Sequence, residues 1–318
     1  MSAGREGDKE ALTMSGTPYE TVRAGRRTVR IGRPGKVLFP ADGLTKADVA
    51  SYYRTVAPRM VPHLRGRPLM LERHPDGIDG QAFIQKDTPG YVPDWVHRAE
   101  LPKEGGTVTY TVCDDTATLV YLAGQACVTL HRFLSRAGSA DHPDRLVFDL
   151  DPPGAGFEPV REAARQMHGL LDELELPSTV MTTGSRGLHV LVALDAKSHV
   201  DDVRAFARDA ADLLAARHPR TLTTEPRKAA RRDRLYLDVQ RNAYGQTSVA
   251  PYALRSLPGA PVAAPLSWDD VDDPEVTARR WTLADAEELA DADPWQDAPR
   301  PRALGPARRR LDALRQAG

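Results

Sequence analysis

Asp149 and Asp151, in Leu146-Val147-Phe148-Asp149-Leu150-Asp151-Pro152-Pro153, and Asp238, in Leu235-Tyr236-Leu237-Asp238-Val239, are the residues whose types and spacing most readily do chemistry. Both runs are strand-like, and side chains on a strand alternate between its faces. Asp149 and Asp151 therefore share one face, while Phe148 and Leu150 turn to the core. Two carboxylates held a pleat apart repel unless something positive sits between them. A hard divalent cation is the usual answer in phosphoryl-transfer enzymes. On its own, Asp-x-Asp before two prolines is more often a solvated strand end that opens a turn.

Other segments shift that balance. Thr182-Thr183-Gly184-Ser185-Arg186-Gly187-Leu188-His189 joins two predicted strands. Its glycines let backbone N–H groups approach an anion, and Arg186 and His189 add donors on the same side. A bare Gly-x-x-Gly is a simple turn; the Arg inside it and the His after it make the pattern more specific. Asp238 is followed by Arg241, a candidate triphosphate ligand, and by Asn242, assigned to the turn toward Gly245. Ser248-Val249-Ala250-Pro251-Tyr252-Ala253-Leu254-Arg255 contributes a hydroxyl and another arginine. His131 is placed at the end of an apolar helix, where a lone histidine is more often packed or capping.

Lys36 and Lys46 flank Val37-Leu38-Phe39-Pro40. Singly they would be solvated; paired near a helix N-terminus they can grip a phosphate monoester. In Leu71-Glu72-Arg73-His74-Pro75-Asp76-Gly77 and Phe83-Ile84-Gln85-Lys86, Arg73 and Lys86 are phosphate candidates. Phe83 is equally a base-stacking ring or a core residue. The basic stretch 223–234 is either a solvated connection or a phosphate-tracking loop.

These residues need a scaffold, and the second half supplies a regular one. Predicted strands at 145–150, 178–182, 188–193 and 235–239 alternate with helices at 157–174 and 200–217. The order βαββαβ is ferredoxin-like, and it can set the Asp149 and Asp238 strands side by side, about 5 Å apart. The first half is mixed α and β. Thr45 N-caps a helix to about 61 that buries Val49, Tyr52, Tyr53 and Val56. Short strands follow near 69–73, 82–85 and 108–112, then a helix over 115–134 broken near Gly124. Residues 1–27 read as a flexible arm whose end adds an edge strand. The main domain is expected over 28–275, with an α/β part at 28–144 and the catalytic part at 145–258. Residues 276–318 would be a wrapping tail that ends in an exposed Arg-rich helix. Trp268, Trp281 and Trp295, spaced along the chain beyond Pro258, would dock that stretch on the domain.

The 318 residues are enough to bury a sizeable core. A net charge of −1 excludes an indiscriminately basic nucleic-acid coat but allows a local basic groove. The basic residues are mostly Arg, which suits bidentate phosphate recognition. Cys113 and Cys127 are too few for a disulfide framework or a zinc cluster. Residues 1–20 lack a secretory apolar core, and the longest apolar stretch, 119–130, is too short to span a bilayer. A cytoplasmic, nucleoid-associated protein without membrane contact is expected, with a monomer as the default.

Taken in order, Gly35-Lys36-Val37-Leu38-Phe39-Pro40, Thr45-Lys46, Arg73-His74-Pro75-Asp76-Gly77, Leu130-His131 and Phe148-Asp149-Leu150-Asp151-Pro152 form a specific set. It continues with Thr183-Gly184-Ser185-Arg186-Gly187-Leu188-His189, Asp238-Val239-Gln240-Arg241-Asn242 and Ala250-Pro251-Tyr252-Ala253-Leu254-Arg255. Over about 28–275 the chain resembles the polymerase domain of bacterial DNA ligase D, in the archaeo-eukaryotic primase superfamily.

The resemblance implies an α+β, primase-type fold in which an RRM-like sheet packs on an N-terminal α/β part. It implies template-directed addition of ribonucleotides, or less readily deoxynucleotides, to a primer 3′-OH. Asp149, Asp151 and Asp238 would hold two divalent cations, Mn2+ preferred and Mg2+ possible. His131, Thr183, Ser185, Arg186, His189, Arg241 and Ser248 would surround the nucleotide, with Thr183 and Ser248 as candidates to read the 2′-OH. Lys36 and Lys46 would grip a 5′-phosphate, and Arg73, Phe83 and Lys86 would meet the template. Gapped or broken DNA, NTP or dNTP, the end-binding protein Ku and a separate ligase are the implied partners. Thr183 stands where serine is common, and Ile84 where a second aromatic often follows the first. Ligase and nuclease segments are missing, so a stand-alone polymerase is expected. Two alternatives remain at this level: a primase that starts chains de novo, and a non-catalytic 5′-phosphate DNA-end-binding module.

Overall fold

The computed structural model describes residues 18–154 and 156–317. Its first half comprises β1 (Tyr19–Ala24), β2 (Arg27–Gly32), β3 (Val37–Phe39), β4 (Leu44–Thr45), α1 (Lys46–Leu64), β5 (Pro68–Arg73), β6 (Phe83–Gln85), β7 (Arg98–Lys103), β8 (Gly106–Val112), α2 (Thr116–Gly124) and β9 (Cys127–Phe133). The second half comprises β10 (Arg145–Asp151), α3 (Glu158–Glu173), β11 (Ser178–Thr182), β12 (Leu188–Ala193), α4 (Val200–Arg217), β13 (Leu222–Thr223), β14 (Leu235–Asp238), β15 (Thr247–Val249), β16 (Pro265–Leu266), α5 (Trp268–Asp272), α6 (Ala286–Asp291) and α7 (Leu304–Ala317).

The strands build two six-stranded sheets, besides the two-stranded pairs β1–β2 and β3–β4. One runs β15-β9-β5-β8-β7 with β6 added on β5; the other runs β13-β14-β10-β12-β11-β16. In the second, each neighbouring pair along β14, β10, β12 and β11 is antiparallel. Alternation along β10 explains how it is used. Leu146, Phe148 and Leu150 join the core formed with α3 and α4, whereas Val147 belongs to the core of the first half. Asp149 and Asp151 share the face of Val147, so the carboxylates point toward the junction of the two sheets.

Helix α1 forms as its sequence dictates. Thr45 and Asp48 make a capping box, and Val49, Tyr52, Tyr53, Val56 and Met60 are buried. The Tyr52 and Tyr53 hydroxyls donate to the Tyr252 and Val128 carbonyls, which ties the helix to distant segments.

Three expectations need correction. The arm expected over 1–27 falls outside the described residues only as far as 17; Tyr19–Ala24 pairs along its whole length with Arg27–Gly32, a hairpin rather than a free arm. The helix expected over 115–134 ends at Gly124, where Ala126 adopts a left-handed φ of 58° and Val128 and Thr129 carry the chain on as a strand. Branching at Cβ favours the extended form there, so His131 stands on β9 and not on a helix. Finally, α7 is not a free Arg-rich helix. It buries Leu304, Ala307 and Leu311 in the second core, and Arg308 pairs with Asp209 of α4 at 2.6 Å. The tryptophan indoles of Trp268 and Trp295 donate to carbonyls of β11, which docks the tail. No helix among the described residues is long and apolar enough to cross a membrane.

Candidate active site

Asp149 lies opposite Asp238 in the β10–β14 ladder and opposite His189 in the β10–β12 ladder. Directly opposed side chains on one face are about 5 Å apart, so strand pairing alone brings these three together. The His189 Nε2 is 3.5 Å from Asp149 Oδ1, and Arg241 Nε is 3.8 Å from its Oδ2. Asn242 fixes the backbone beneath. Its amide donates to the Val147 carbonyl at 2.7 Å and accepts from the Val147 N–H at 3.0 Å, and it also closes the turn onto the Val239 carbonyl.

Burial pushes the Asp149 carboxyl up, but His189 and Arg241 outweigh it and leave the pKa below the usual carboxylate range. Asp238 shifts the other way. Burial raises it, the Gln240 N–H opposes that at 2.8 Å, and the Asp149 charge adds to the rise. Asp151 is held by two guanidinium groups, Arg186 at 3.1 Å and Arg231 at 3.1 Å. Arg231 in turn lies 4.0 Å over the Tyr236 ring.

The turn between β11 and β12 closes beside these carboxylates. Thr183 Oγ1 accepts from the Gly187 N–H at 3.1 Å, and Gly184 takes a φ of +64°. A side chain at Gly187 would run into the Leu150 carbonyl between the two aspartates, so only glycine lets the turn approach β10 this closely. Arg255 donates to the Thr183 carbonyl at 2.6 Å and reaches the same space.

The first sheet supplies the opposite wall. His131 pairs with Val249 of β15 and Met70 of β5, which brings Ser248 alongside. Glu72 stands behind His131. It accepts from His74 Nε2 at 2.9 Å and from the Ser256 hydroxyl, and its other oxygen is 3.6 Å from His131 Nε2. Burial alone would raise Glu72, yet its hydrogen bonds from His131, His74 and Ser256 hold it well below the usual range. Burial lowers the proton affinity of His131, against the pull of Glu72.

The result is a half-open cavity of about 230 Å³ lined by His131, Asp149, Asp151, Thr183, Ser185, Arg186, His189, Asp238, Arg241, Ser248 and Arg255. Among the described residues, the Ser248 hydroxyl and His189 Nδ1 are buried without a partner. Lys36, Lys46, Arg73, Phe83 and Lys86 are not part of it. Lys46 Nζ donates to the Gly32 carbonyl at 2.9 Å, and Lys36 pairs with Asp76 at 2.7 Å. Burial, then Arg33, Lys36 and Arg73, lower the Lys46 pKa. Phe83 is 42% exposed on the edge strand β6, so it is not a core residue. Lys86 lines a different groove with Tyr110, Phe133 and Tyr244.

Sequence reasoning did not single out Arg231, Arg255 or Glu72 as site residues. Arg231 was one cation among several in a basic stretch. Arg255 closed a recognised segment without a role. Glu72 meets His131 only through the pairing of β5 with β9, which no local pattern encodes.

The donor set suits a hard cation: three carboxylates on one face, one of them with its proton affinity raised by burial and then by another's charge. Among the described residues, no three His, Cys, Asp or Glu side chains converge tightly enough to hold a metal ion. Arg186 and Arg231 occupy the oxygens of Asp151 that would turn toward it.

A family model described as the LigD primase-polymerase domain matches residues 45–295. The chain belongs to that family. Its members are nucleotidyltransferases that use divalent metal ions. The chain is 35% identical over 256 residues to the multifunctional non-homologous end joining protein LigD of Mycolicibacterium smegmatis, covering 80% of this chain and 34% of that protein. With LigD of Pseudomonas aeruginosa it shares 30% identity over 280 residues, covering 86% and 33%. It thus spans about a third of the length of these curated relatives. Among solved structures, the polymerase domain from Mycobacterium tuberculosis ligase D in complex with DNA matches with a TM-score of 0.78 at 33% identity, covering 85% of this chain and 96% of that one. The mixed α/β architecture of this LigD-type domain is therefore that of the family.

Proposed function

We propose that this LigD-type domain adds nucleotides to a primer 3′-OH under template direction, at gaps or broken ends, in DNA end-joining or gap-filling repair. The observation that carries the proposal is the ladder pair Asp149–Asp238, with Asp151 on the same face, opening into a cavity walled by arginines and histidines. The β14-β10-β12-β11 order beneath it supports reading this half as an RRM-like, ferredoxin-like catalytic sheet at 145–258, packed on the α/β part at 28–144.

In this account Arg186, Arg241 and Arg255 bind the triphosphate and His189 donates to it, while His131, whose N–H is engaged by Glu72, lines the pocket. Thr183 and Ser185 shape the turn that admits it. The 3′-oxygen attacks the α-phosphorus in line, the bond to the β-phosphate oxygen breaks, and pyrophosphate leaves. Asp149, Asp151 and Asp238 would hold two divalent cations, Mn2+ preferred, and these would acidify the 3′-OH and offset charge on the leaving group. The unpartnered Ser248 hydroxyl supports ribonucleotide use, because a buried hydroxyl without a partner is available to a 2′-OH. Lys36 and Lys46 grip the 5′-phosphate across the gap. Ku and a ligase are the partners this role implies.

Extension of a primer across a short gap, with ribonucleotides and manganese, tests the proposal. Addition should follow the template base and cease on chelation. Phosphate-dependent binding without any addition would instead favour an end-binding module, and synthesis on an unprimed template would favour a primase.

A further inference from the structure

At the end of β10 away from the aspartates, arginines are buried with little to neutralise them. Arg145 opens the strand and shares a face with Val147, Asp149 and Asp151, about 13 Å from Asp149 along the strand. Arg67 and Arg132 are each 1% exposed. Arg67 pairs with Asp144 at 2.6 Å, and Arg132 donates to the His63 carbonyl at 2.8 Å. Arg145 donates to the Asp144 carbonyl at 2.7 Å. Among the described residues, Asp144 is the carboxylate that acts on all three guanidinium groups, and Arg136 competes for it at 3.2 Å.

Guanidinium groups keep their protons, so Arg67, Arg132 and Arg145 against Asp144 leave two positive charges in excess. A buried excess is costly unless a counter-ion joins it. Among the described residues, Nε of Arg132 is buried without a partner. Arg132 and Arg145 line a cavity of about 90 Å³ with His63, Thr179, Trp295 and Pro299. That is the space of roughly three waters, enough for one tetrahedral oxyanion. It shares no lining residue with the catalytic cavity. Burial, then Arg132, Arg145 and Arg67, lower the His63 pKa to about 3, so its ring is neutral at ordinary pH and adds no competing charge. Trp295 covers one side: its indole donates to the Val180 and Leu266 carbonyls at 3.1 Å, and its ring meets His63 edge-on at 5.3 Å.

We propose that this cavity is a second anion site, in which Arg132 and Arg145 bind a divalent tetrahedral oxyanion, phosphate or sulfate, between the two sheets. Two excess charges and planar, forked donors suit such an ion better than a halide, which cannot accept a bidentate pair. The site is separate from the Lys36 and Lys46 patch and does not rest on the polymerase proposal. Its ion would sit where β9, β10 and the segment carrying Trp295 meet, and would tie them together.

The test follows the ring resonances of His63 by NMR in the full chain, free of metal and nucleotide. They are assigned by their loss in His63→Gln. Sodium chloride is exchanged for sodium phosphate, or in parallel for sodium sulfate, at constant ionic strength. The protein should show a saturable displacement of the His63 signals, and the ion that half-saturates at the lower concentration is the one the site takes. Lys46→Gln should leave the half-saturation unchanged. Arg132→Met and Arg145→Gln should each raise it roughly tenfold, the value of one charge-assisted hydrogen bond. Arg145 is partly exposed, so its variant decides the matter if Arg132→Met does not fold. No saturable displacement in the unaltered protein overturns the site. So does a half-saturation that Arg145→Gln leaves unchanged, and a displacement that follows added chloride instead overturns the oxyanion.

Discussion

Two cationic regions of the molecule are built on opposite terms. In the cavity the cations face carboxylates: Arg186 and Arg231 hold Asp151, while His189 and Arg241 approach Asp149. Around Lys46 the partners are mostly neutral, with Lys46 on the Gly32 carbonyl and Arg73 on two neutral side chains and a carbonyl. Among the described residues, only Lys36 has a carboxylate there, the exposed Asp76. The difference separates two kinds of anion site. On the proposed function, the Lys46 patch would take a phosphate with little to displace, whereas the cavity would exchange internal ion pairs for a metal-bound triphosphate. The Arg186–Asp151 and Arg241–Asp149 pairs are partly exposed and worth about 0–1 kcal/mol each, so exchanging them is within reach of ligand binding.

The largest effect is expected when a carboxylate is removed from the ladder. Asp238→Asn should reduce templated addition on the order of 10³-fold or more, with 5′-phosphate binding retained. Lys46→Gln should do the reverse. Preference for a phosphorylated over an unphosphorylated end, read by fluorescence anisotropy, should fall roughly tenfold, the value of one charge-assisted hydrogen bond.

Glu72 offers a pH-dependent test of the wall behind His131. Its folded-state pKa is depressed, so its stabilisation is complete above the ordinary carboxylate range and is lost as pH falls below about 4. Glu72→Gln should lower stability by about 1–3 kcal/mol at neutral pH, and the gap between the two denaturation curves should narrow on acidification. A gap independent of pH would show that Glu72 is not held as a carboxylate. The smallest effect is expected of Arg231→Ala. Releasing one oxygen of Asp151 should lower the metal concentration needed for half-maximal activity by about two- to fivefold. A rise would mean that Arg231 supports the metal-bound state instead of competing with it.

Legibility in the sequence followed the range of the interactions. The Asp149–Leu150–Asp151 alternation and the strand–turn–strand around Gly184 and Gly187 are local, and the βαββαβ order is enough to set Asp149 beside Asp238. The helix start at Thr45 was equally local. What depended on long-range pairing was not visible. The sequence places His131 on a helix because Leu119–Leu130 is mostly apolar, and a buried strand and a buried helix look alike by composition. Its contact with Glu72 needs β5 and β9 to pair at a particular register. Arg231 was hidden for a different reason, since nothing in a run of cations marks the one that folds back over Tyr236 onto Asp151.

The central claim, that one region performs the chemistry and the other holds the end, is tested most directly by running two single variants through the same pair of assays. Asp149→Ala and Lys46→Gln would each be measured for binding and for manganese-dependent extension on a gapped duplex, with and without the 5′-phosphate. The expected result is a double dissociation. Asp149→Ala binds with full phosphate preference and extends nothing, while Lys46→Gln extends the primer and no longer distinguishes the two ends. Extension by Asp149→Ala at the wild-type rate would contradict the account at its core.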